Sequence, residues 1–219
     1  MDEPEATDDR ADEGRRGADG DGRGGGHDHD HERGHGHEHE HEHHHDHDIE
    51  ALGVAVVTVS SSRGVDEDAS GSAIADLVAE AGHAVSTREV VNDEFDTVQN
   101  TVDRLVGRRD TDCVVTTGGT GVTPDDVTVE AVEPLLDKRL PGFGELFRSL
   151  SREEIGTKVV GTRATAGVAD GVPVFCLPGS ENAVRLGTEA IVVEEAPHLA
   201  GLARRDEPED RAGDAADGR

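Results

Sequence analysis

From Leu52 to Val59 the chain reads Leu-Gly-Val-Ala-Val-Val-Thr-Val, an almost unbroken apolar run rich in β-branched residues. A strand with one wet face alternates polar and apolar side chains, whereas a strand covered on both faces has no reason to. The run therefore predicts an inner strand of a parallel sheet with helices on both sides. The residues that follow supply those helices. A polar loop, Ser60-Ser61-Ser62-Arg63-Gly64, leads to residues 70–81, where Ile74, Leu77, Val78 and Ala81 recur at helical spacing and Gly82 closes the segment. Residues 83–91 read as a second strand, 95–106 as a helix with Phe95, Val98, Val102 and Leu105 on one face, and 112–116 as a third strand. Further helices are predicted near 128–136 and from Pro141, and a strand over 172–177 ends at Pro178-Gly179-Ser180. The helix from Glu181 is expected to run into a strand-like Ile191-Val192-Val193. Strands alternating with helices imply a doubly wound α/β domain, with the four Phe in its core.

The flanks cannot join that core. Residues 1–48 hold almost no apolar side chains and 204–219 form an acidic tail, so both are predicted to be disordered. Residues 49–203 remain as one domain, long enough to bury a sizeable core. The chain has 49 acidic and 21 basic residues, a formal net charge of −28, and residues 49–203 alone hold 26 acids and 12 bases. With no positive face for a phosphate backbone, nucleic-acid binding is excluded as a function class. Lysine occurs only at Lys138 and Lys158. An acidic, lysine-poor surface fits a halophilic cytoplasm, where salt screens self-repulsion. No apolar run approaches about 18 residues and no leader pattern opens the chain, so no membrane role is predicted and the expected location is cytoplasmic. Cys113 and Cys176 lie in apolar runs without CxxC spacing, which predicts buried free thiols and no zinc site.

Eleven of the thirteen histidines fall within residues 27–47, interleaved with Asp, Glu and Gly. At that density imidazoles and carboxylates bind transition metals by ligand type, without a shaped site. The head is either a metal-delivery arm or a solvating tail with incidental affinity. His83 and His198 stand alone beside helix ends and read as capping or surface groups.

Chemistry is expected where loops leave the carboxyl ends of parallel strands, the edge at which open sheets bind ligands. Three polar loops do so: residues 60–64, 117–126 and 178–180. The central one, Thr117-Gly118-Gly119-Thr120-Gly121, lets backbone amides approach a ligand and adds two hydroxyls, an arrangement suited to phosphate oxygens. No Gly-Lys-Ser/Thr follows, so this is not a P-loop. Beyond the glycines come Asp125-Asp126, and Asp93 and Glu94 follow the second strand. Carboxylates beside a phosphate site repel the substrate unless a hard cation lies between, which points to Mg²⁺. The other reading is that Asp125 or Asp126 caps the next helix.

Four motifs in order, Thr116-Thr117-Gly118-Gly119-Thr120-Gly121, Asp126-Val127-Thr128 with Glu130-Ala131, Pro141-Gly142-Phe143-Gly144-Glu145 and Leu177-Pro178-Gly179-Ser180, resemble the MoaB/Mog family of molybdenum-cofactor biosynthesis proteins, related to the gephyrin G domain. The likeness spans about residues 51–200. It implies a three-layer α/β/α fold with a mostly parallel sheet, a homotrimer or homohexamer, and adenylylation of molybdopterin by MgATP, the product passing to a molybdenum-insertion protein. By the same resemblance, Asp126 and Asp93 are the functional aspartates, both acting through Mg²⁺. Glu145, Ser60, Ser61 and Ser180, with Pro178 and Gly179, lie near the pterin or nucleotide. Many relatives have Arg before the aspartate where this chain has Asp125, and Arg63 or Arg163 is the candidate to compensate from another loop. Two other readings stay open: a relative that binds molybdopterin without transferring AMP, and a metal-delivery protein acting through its histidine-rich head.

Overall fold

The computed structural model describes residues 48–61 and 67–204. The segments predicted to be disordered lie outside the described residues except for Asp48 and Arg204, as do Ser62, Arg63 and Gly64 of the first loop. Six strands form one sheet: β1 Gly53–Val59, β2 Ala84–Val91, β3 Cys113–Thr117, β4 Lys138–Arg139, β5 Thr165–Ala169 and β6 Val172–Leu177, in the order β2-β1-β3-β6-β5-β4. The first four in that order run parallel, while β5 is antiparallel to both β6 and β4. The helices are α1 Ala69–Glu80, α2 Phe95–Val106, α3 Thr128–Val132, α4 Pro141–Ile155, α5 Glu181–Gly187 and α6 Val193–Ala203.

Strand alternation divides the apolar residues between two cores, one on each face. Val54 and Val56 of β1, Cys113 and Val115 of β3, and Phe175 and Leu177 of β6 pack with α1, α4, α5 and α6 on one side. Ala55 and Val57, Val114, and Val174 and Cys176 pack with α2 and α3 on the other. This is the three-layer α/β/α arrangement, and it explains why the inner strands carry no polar alternation. Phe143 links the aromatic part of the first core, stacking on Phe147 at 6.1 Å between centroids and meeting Phe175 edge-on at 5.3 Å. Among the described residues no helix is long and apolar enough to cross a membrane.

Three features depart from the expectations drawn from sequence. Residues 191–193 are helical: Thr188–Val192 forms a wide π-type turn that joins α5 to α6. Val184, Ile191, Ala196 and Ala200 all face one core, so a helical period overrides a three-residue β-branched run. The stretch before Val172, rich in Thr, Ala and Gly and assigned no element from sequence, contains β5, which is built of small residues and paired to β6 through Asp170 and Gly171. Phe95 is 39 % exposed, so only three of the four Phe belong to the core.

The thiols of Cys113 and Cys176 are free and buried. Burial pushes the first far up and the second up to about 11, so neither forms thiolate at neutral pH. Both are expected to resist a soluble thiol reagent in the native chain and to react together on unfolding. Labelling of either under native conditions, followed by mass spectrometry, would contradict this.

One buried carboxylate was not foreseen. Asp68 caps α1 through the Gly71 amide at 2.9 Å, accepts the Thr58 hydroxyl at 2.7 Å and pairs with Arg88 at 2.9 Å. Its side chain is wholly buried, whereas that of Arg88 is 23 % exposed. Burial alone raises the Asp68 carboxyl, but the Gly71 amide, the Thr58 hydroxyl and Arg88 outweigh it and hold the group below the usual carboxylate range. A carboxyl depressed on folding adds stability above its unfolded value, and that stability is lost as pH falls through the folded value. The contribution of Asp68 is therefore constant at neutral pH and disappears only below about pH 4. Asp68→Ala removes the cap and the carboxylate partner of Arg88, which keeps its bond to the backbone carbonyl of residue 68, at an expected cost of about 2 kcal/mol. Urea unfolding at pH 7 measures this; an unchanged midpoint would show that the pair adds nothing.

Candidate functional site

The carboxyl ends of β1, β3 and β6 lie side by side, because Thr58 is in register with Thr117 and Thr117 with Leu177. The three loops leaving these strands therefore converge on one cleft of about 530 Å³, a volume suited to a small-molecule ligand. Thr58 and Val59 line it from the end of β1, Ser60 from the first loop, residues 117–121 and Asp126 from the second, and Pro178 and Gly179 from the third. Lys158, Gly161 and Thr162 complete the described lining.

The loops are stitched together by short bonds. Thr117 Oγ1 donates to the Pro178 carbonyl at 2.9 Å, and Ser70 Oγ donates to the Gly179 carbonyl at 2.9 Å. The Gly118 amide donates to the Leu177 carbonyl at 3.0 Å. The Thr128 hydroxyl and amide donate to the carbonyls of Gly118 and Gly119 at 2.8 and 3.0 Å. Thus the Thr117 hydroxyl and the Gly118 amide, both expected to face a ligand, hold the scaffold instead. The amides of Gly119 and Thr120 have no acceptor among the described residues. A backbone donor left without a partner is costly unless something outside the chain accepts it. Gly118 and Gly119 have φ of +94° and +66°, which turns the chain sharply enough to bring these amides to the cleft.

Asp126 does not cap α3, whose cap position is Val127 without a side-chain bond. Its Oδ2 instead accepts the Thr123 amide at 2.8 Å and the Thr123 hydroxyl at 2.6 Å. Partial burial raises this carboxyl, but the Thr123 and Gly121 donors and the charge of Arg163 outweigh it and hold it below the usual range. It is ionised at neutral pH. Arg163 donates from Nε to the Gly121 carbonyl at 2.6 Å and from Nη2 to the Asp126 carbonyl at 2.9 Å, and Nη1 pairs with Glu130. The loop between Gly121 and Asp126 is therefore closed by one guanidinium. That bond to Arg163 also holds the Glu130 carboxyl down.

Other residues singled out from sequence lie apart from this cleft. Asp93 sits in the turn between β2 and α2, half-buried, on the same sheet edge but two strands from β3, about 10 Å sideways at ordinary strand spacing. Glu145 is exposed on α4, and Ser61 is exposed at the end of the first described segment. Ser180 caps α5, accepting the Ala183 amide at 3.4 Å. None of these four lines the cleft. Two residues that do shape it were not foreseen in their observed roles: Lys158 on its wall, and Arg163 as a clamp. The signal for Lys158 was its rarity, as one of two lysines in a chain otherwise dependent on arginine.

Among the described residues no three His, Cys, Asp or Glu side chains gather to hold a metal ion. Asp126 is the single carboxylate among the described residues lining the cleft. One ionised carboxylate beside hydroxyls fits Mg²⁺ that arrives on phosphates and keeps most of its oxygen shell from them and from water, rather than a resident ion.

A model of the family described as "Probable molybdopterin binding domain" matches residues 54–198. The chain is 43 % identical over 141 residues to molybdenum cofactor biosynthesis protein B of Halalkalibacterium halodurans, covering 64 % of this chain and 83 % of that protein. It is 43 % identical over 150 residues to the protein of the same name from Bacillus subtilis, covering 67 % and 87 %. Among solved structures, the tungsten cofactor synthesizing protein MoaB from Pyrococcus furiosus superposes with a TM-score of 0.65 at 41 % identity, covering 71 % of this chain and 99 % of that one.

Proposed function

This chain belongs to the MoaB/Mog family of molybdenum-cofactor biosynthesis proteins, and on that premise we propose that its cleft binds molybdopterin and MgATP and transfers AMP to the pterin phosphate. A role in molybdenum-cofactor biosynthesis follows from the family; the adenylyl transfer is our reading. The observation that carries it is the pairing of two amides without an acceptor among the described residues, Gly119 and Thr120, with one ionised carboxylate, Asp126, where three strand ends meet.

In the proposed reaction an oxygen of the molybdopterin phosphate attacks the α-phosphorus of ATP. The new P–O bond forms as the bond to the β-phosphate bridging oxygen breaks, and pyrophosphate leaves. No covalent intermediate on the protein is needed. The chain contributes positioning and charge: the loop amides take phosphate oxygens, and the Arg163 clamp holds Asp126 in place. Mg²⁺, entering with the nucleotide and held by Asp126, supplies charge neutralisation when bound. Asp93, on the same edge, remains a proposed second aspartate for a substrate that extends along the sheet. The product would pass to a molybdenum-insertion protein, and a homotrimer or homohexamer is the proposed assembly.

The test is direct. The full chain is incubated with molybdopterin and MgATP across a range of KCl concentrations, and pyrophosphate and the adenylylated pterin are quantified. Pterin-dependent release of pyrophosphate, with equal adduct, is expected. Binding of molybdopterin without any pyrophosphate would contradict the transfer and favour a binding-only relative.

A further inference from the structure

We infer that Lys158 supplies the cation that meets the substrate's phosphate in the cleft, a role for which Arg163 is already committed elsewhere. The inference rests on the reading that this cleft takes a phosphate-bearing ligand.

In a chain with 49 acids and 21 bases, a cation near any carboxylate is readily paired. Seven of the described arginines stand in ion pairs. Arg163, the arginine closest to the glycine loop in its bonding, has Nε, Nη1 and Nη2 all engaged, by the Gly121 carbonyl, Glu130 and the Asp126 carbonyl. It faces a neighbouring depression lined by Val122, Thr123 and Pro124 and does not line the cleft. Lys158 does line it, and no described group bonds or pairs with its ammonium. It is the one cation among the cleft's described lining.

The surroundings make the assignment selective for an anion. The described lining also contains the glycine loop, where the Gly119 and Thr120 amides have no acceptor among the described residues, and Asp126 bears its only carboxylate. A flexible ammonium in the same cleft as fixed amides can follow a phosphate group as it moves, which a guanidinium bonded to backbone carbonyls cannot. The segment that presents Lys158, Gly156–Gly161, is a short 3-10 stretch following α4, and its residues 156–158 are exposed. Lys158 therefore lines the cleft from an exposed segment. The rigid Arg163 shapes the loop; the mobile Lys158 contacts the ligand.

Because the chain has only two lysines, reductive ¹³C-methylation of the full-length protein gives two dimethyl-lysine NMR signals beside that of the α-amine, and the positive charge is kept. On titration with MgATP, and separately with inorganic pyrophosphate, the signal assigned to Lys158 by its loss in Lys158→Arg is expected to move, while that of Lys138 stays still. By calorimetry, Lys158→Met should weaken MgATP binding about tenfold and flatten its salt dependence, as loss of one charge-assisted contact requires. Lys158→Arg should retain most of the affinity, and Lys138→Met, on the exposed strand β4, should leave it unchanged. If the parent chain binds MgATP but the Lys158 signal is stationary and Lys158→Met binds equally well, this inference is overturned while the cleft reading stands. If the folded parent chain binds neither probe, the cleft reading itself fails and the inference falls with it.

Discussion

Asp126→Asn is expected to lower the rate of pyrophosphate release by about a thousandfold or more while leaving the fold intact. The substitution keeps the side chain's volume and one oxygen, so the Thr123 amide and hydroxyl still find an acceptor. The Asp126 backbone carbonyl, which Arg163 holds, is untouched. What is chiefly removed is the charge, from the single carboxylate in the described lining of a cleft that must bring two anionic reactants together. Loss of a preorganised charge at developing negative charge costs roughly 10²–10³ in rate, and a group that also holds the substrate's cation stands at the upper end or beyond it. Initial rates at saturating substrates, paired with thermal unfolding, decide the matter. A variant with the parent's melting temperature and turnover within tenfold would remove Asp126 from the chemistry.

Gly118→Ala is expected to destabilise the domain by about 3 kcal/mol and to abolish ligand binding. The residue has φ of +94°, and a Cβ placed there would stand 2.4 Å from the Val59 carbonyl oxygen at the end of β1. A left-handed conformation costs an L-residue about 1–2 kcal/mol. The clash adds a backbone shift, because the atom in the way belongs to an inner strand and cannot rotate aside, a further 1–3 kcal/mol or about that. For a domain of this size the sum corresponds to a fall of roughly 10 °C in melting temperature. The shift also carries Gly119 and Thr120 away from the cleft. Gly142→Ala is the matched control, since a Cβ there meets nothing within 4 Å and its φ is not positive. Equal melting temperatures for the two variants would show that the turn at Gly118 is not constrained as described.

The parallel half of the domain was legible because burial on both faces leaves a continuous apolar run. β1, β2, α1, α2, β3 and β6 fall within a residue or two of their predicted bounds. The antiparallel half was not, because β5, Thr-Ala-Gly-Val-Ala, packs small residues and has no strand-like run. Its signal lay in the turn instead. Asp170 and Gly171, both with positive φ at 48° and 74°, form the two-residue connection that an Asp-Gly pair favours between antiparallel strands.

The site shows the same division. The glycine loop and Asp126 were readable from local spacing, since the amides and the acid belong to one loop. The Asp68–Arg88 pair and the Arg163 clamp join residues 20 and 42 positions apart in sequence. Neither arginine sits in a local pattern that names its partner, so only the folded chain reveals what each one holds.

In the proposed complex, phosphate groups lodge against the bend following β3, with the Asp126 carboxylate turned toward them. A crystal structure of the full chain grown with Mg²⁺ and a non-hydrolysable ATP analogue tests it most directly. Phosphate oxygens are expected within hydrogen-bond distance of the Gly119 and Thr120 amides, with the cation on Asp126. A nucleotide bound at another surface, with the bend between β3 and α3 solvent-filled, would contradict it.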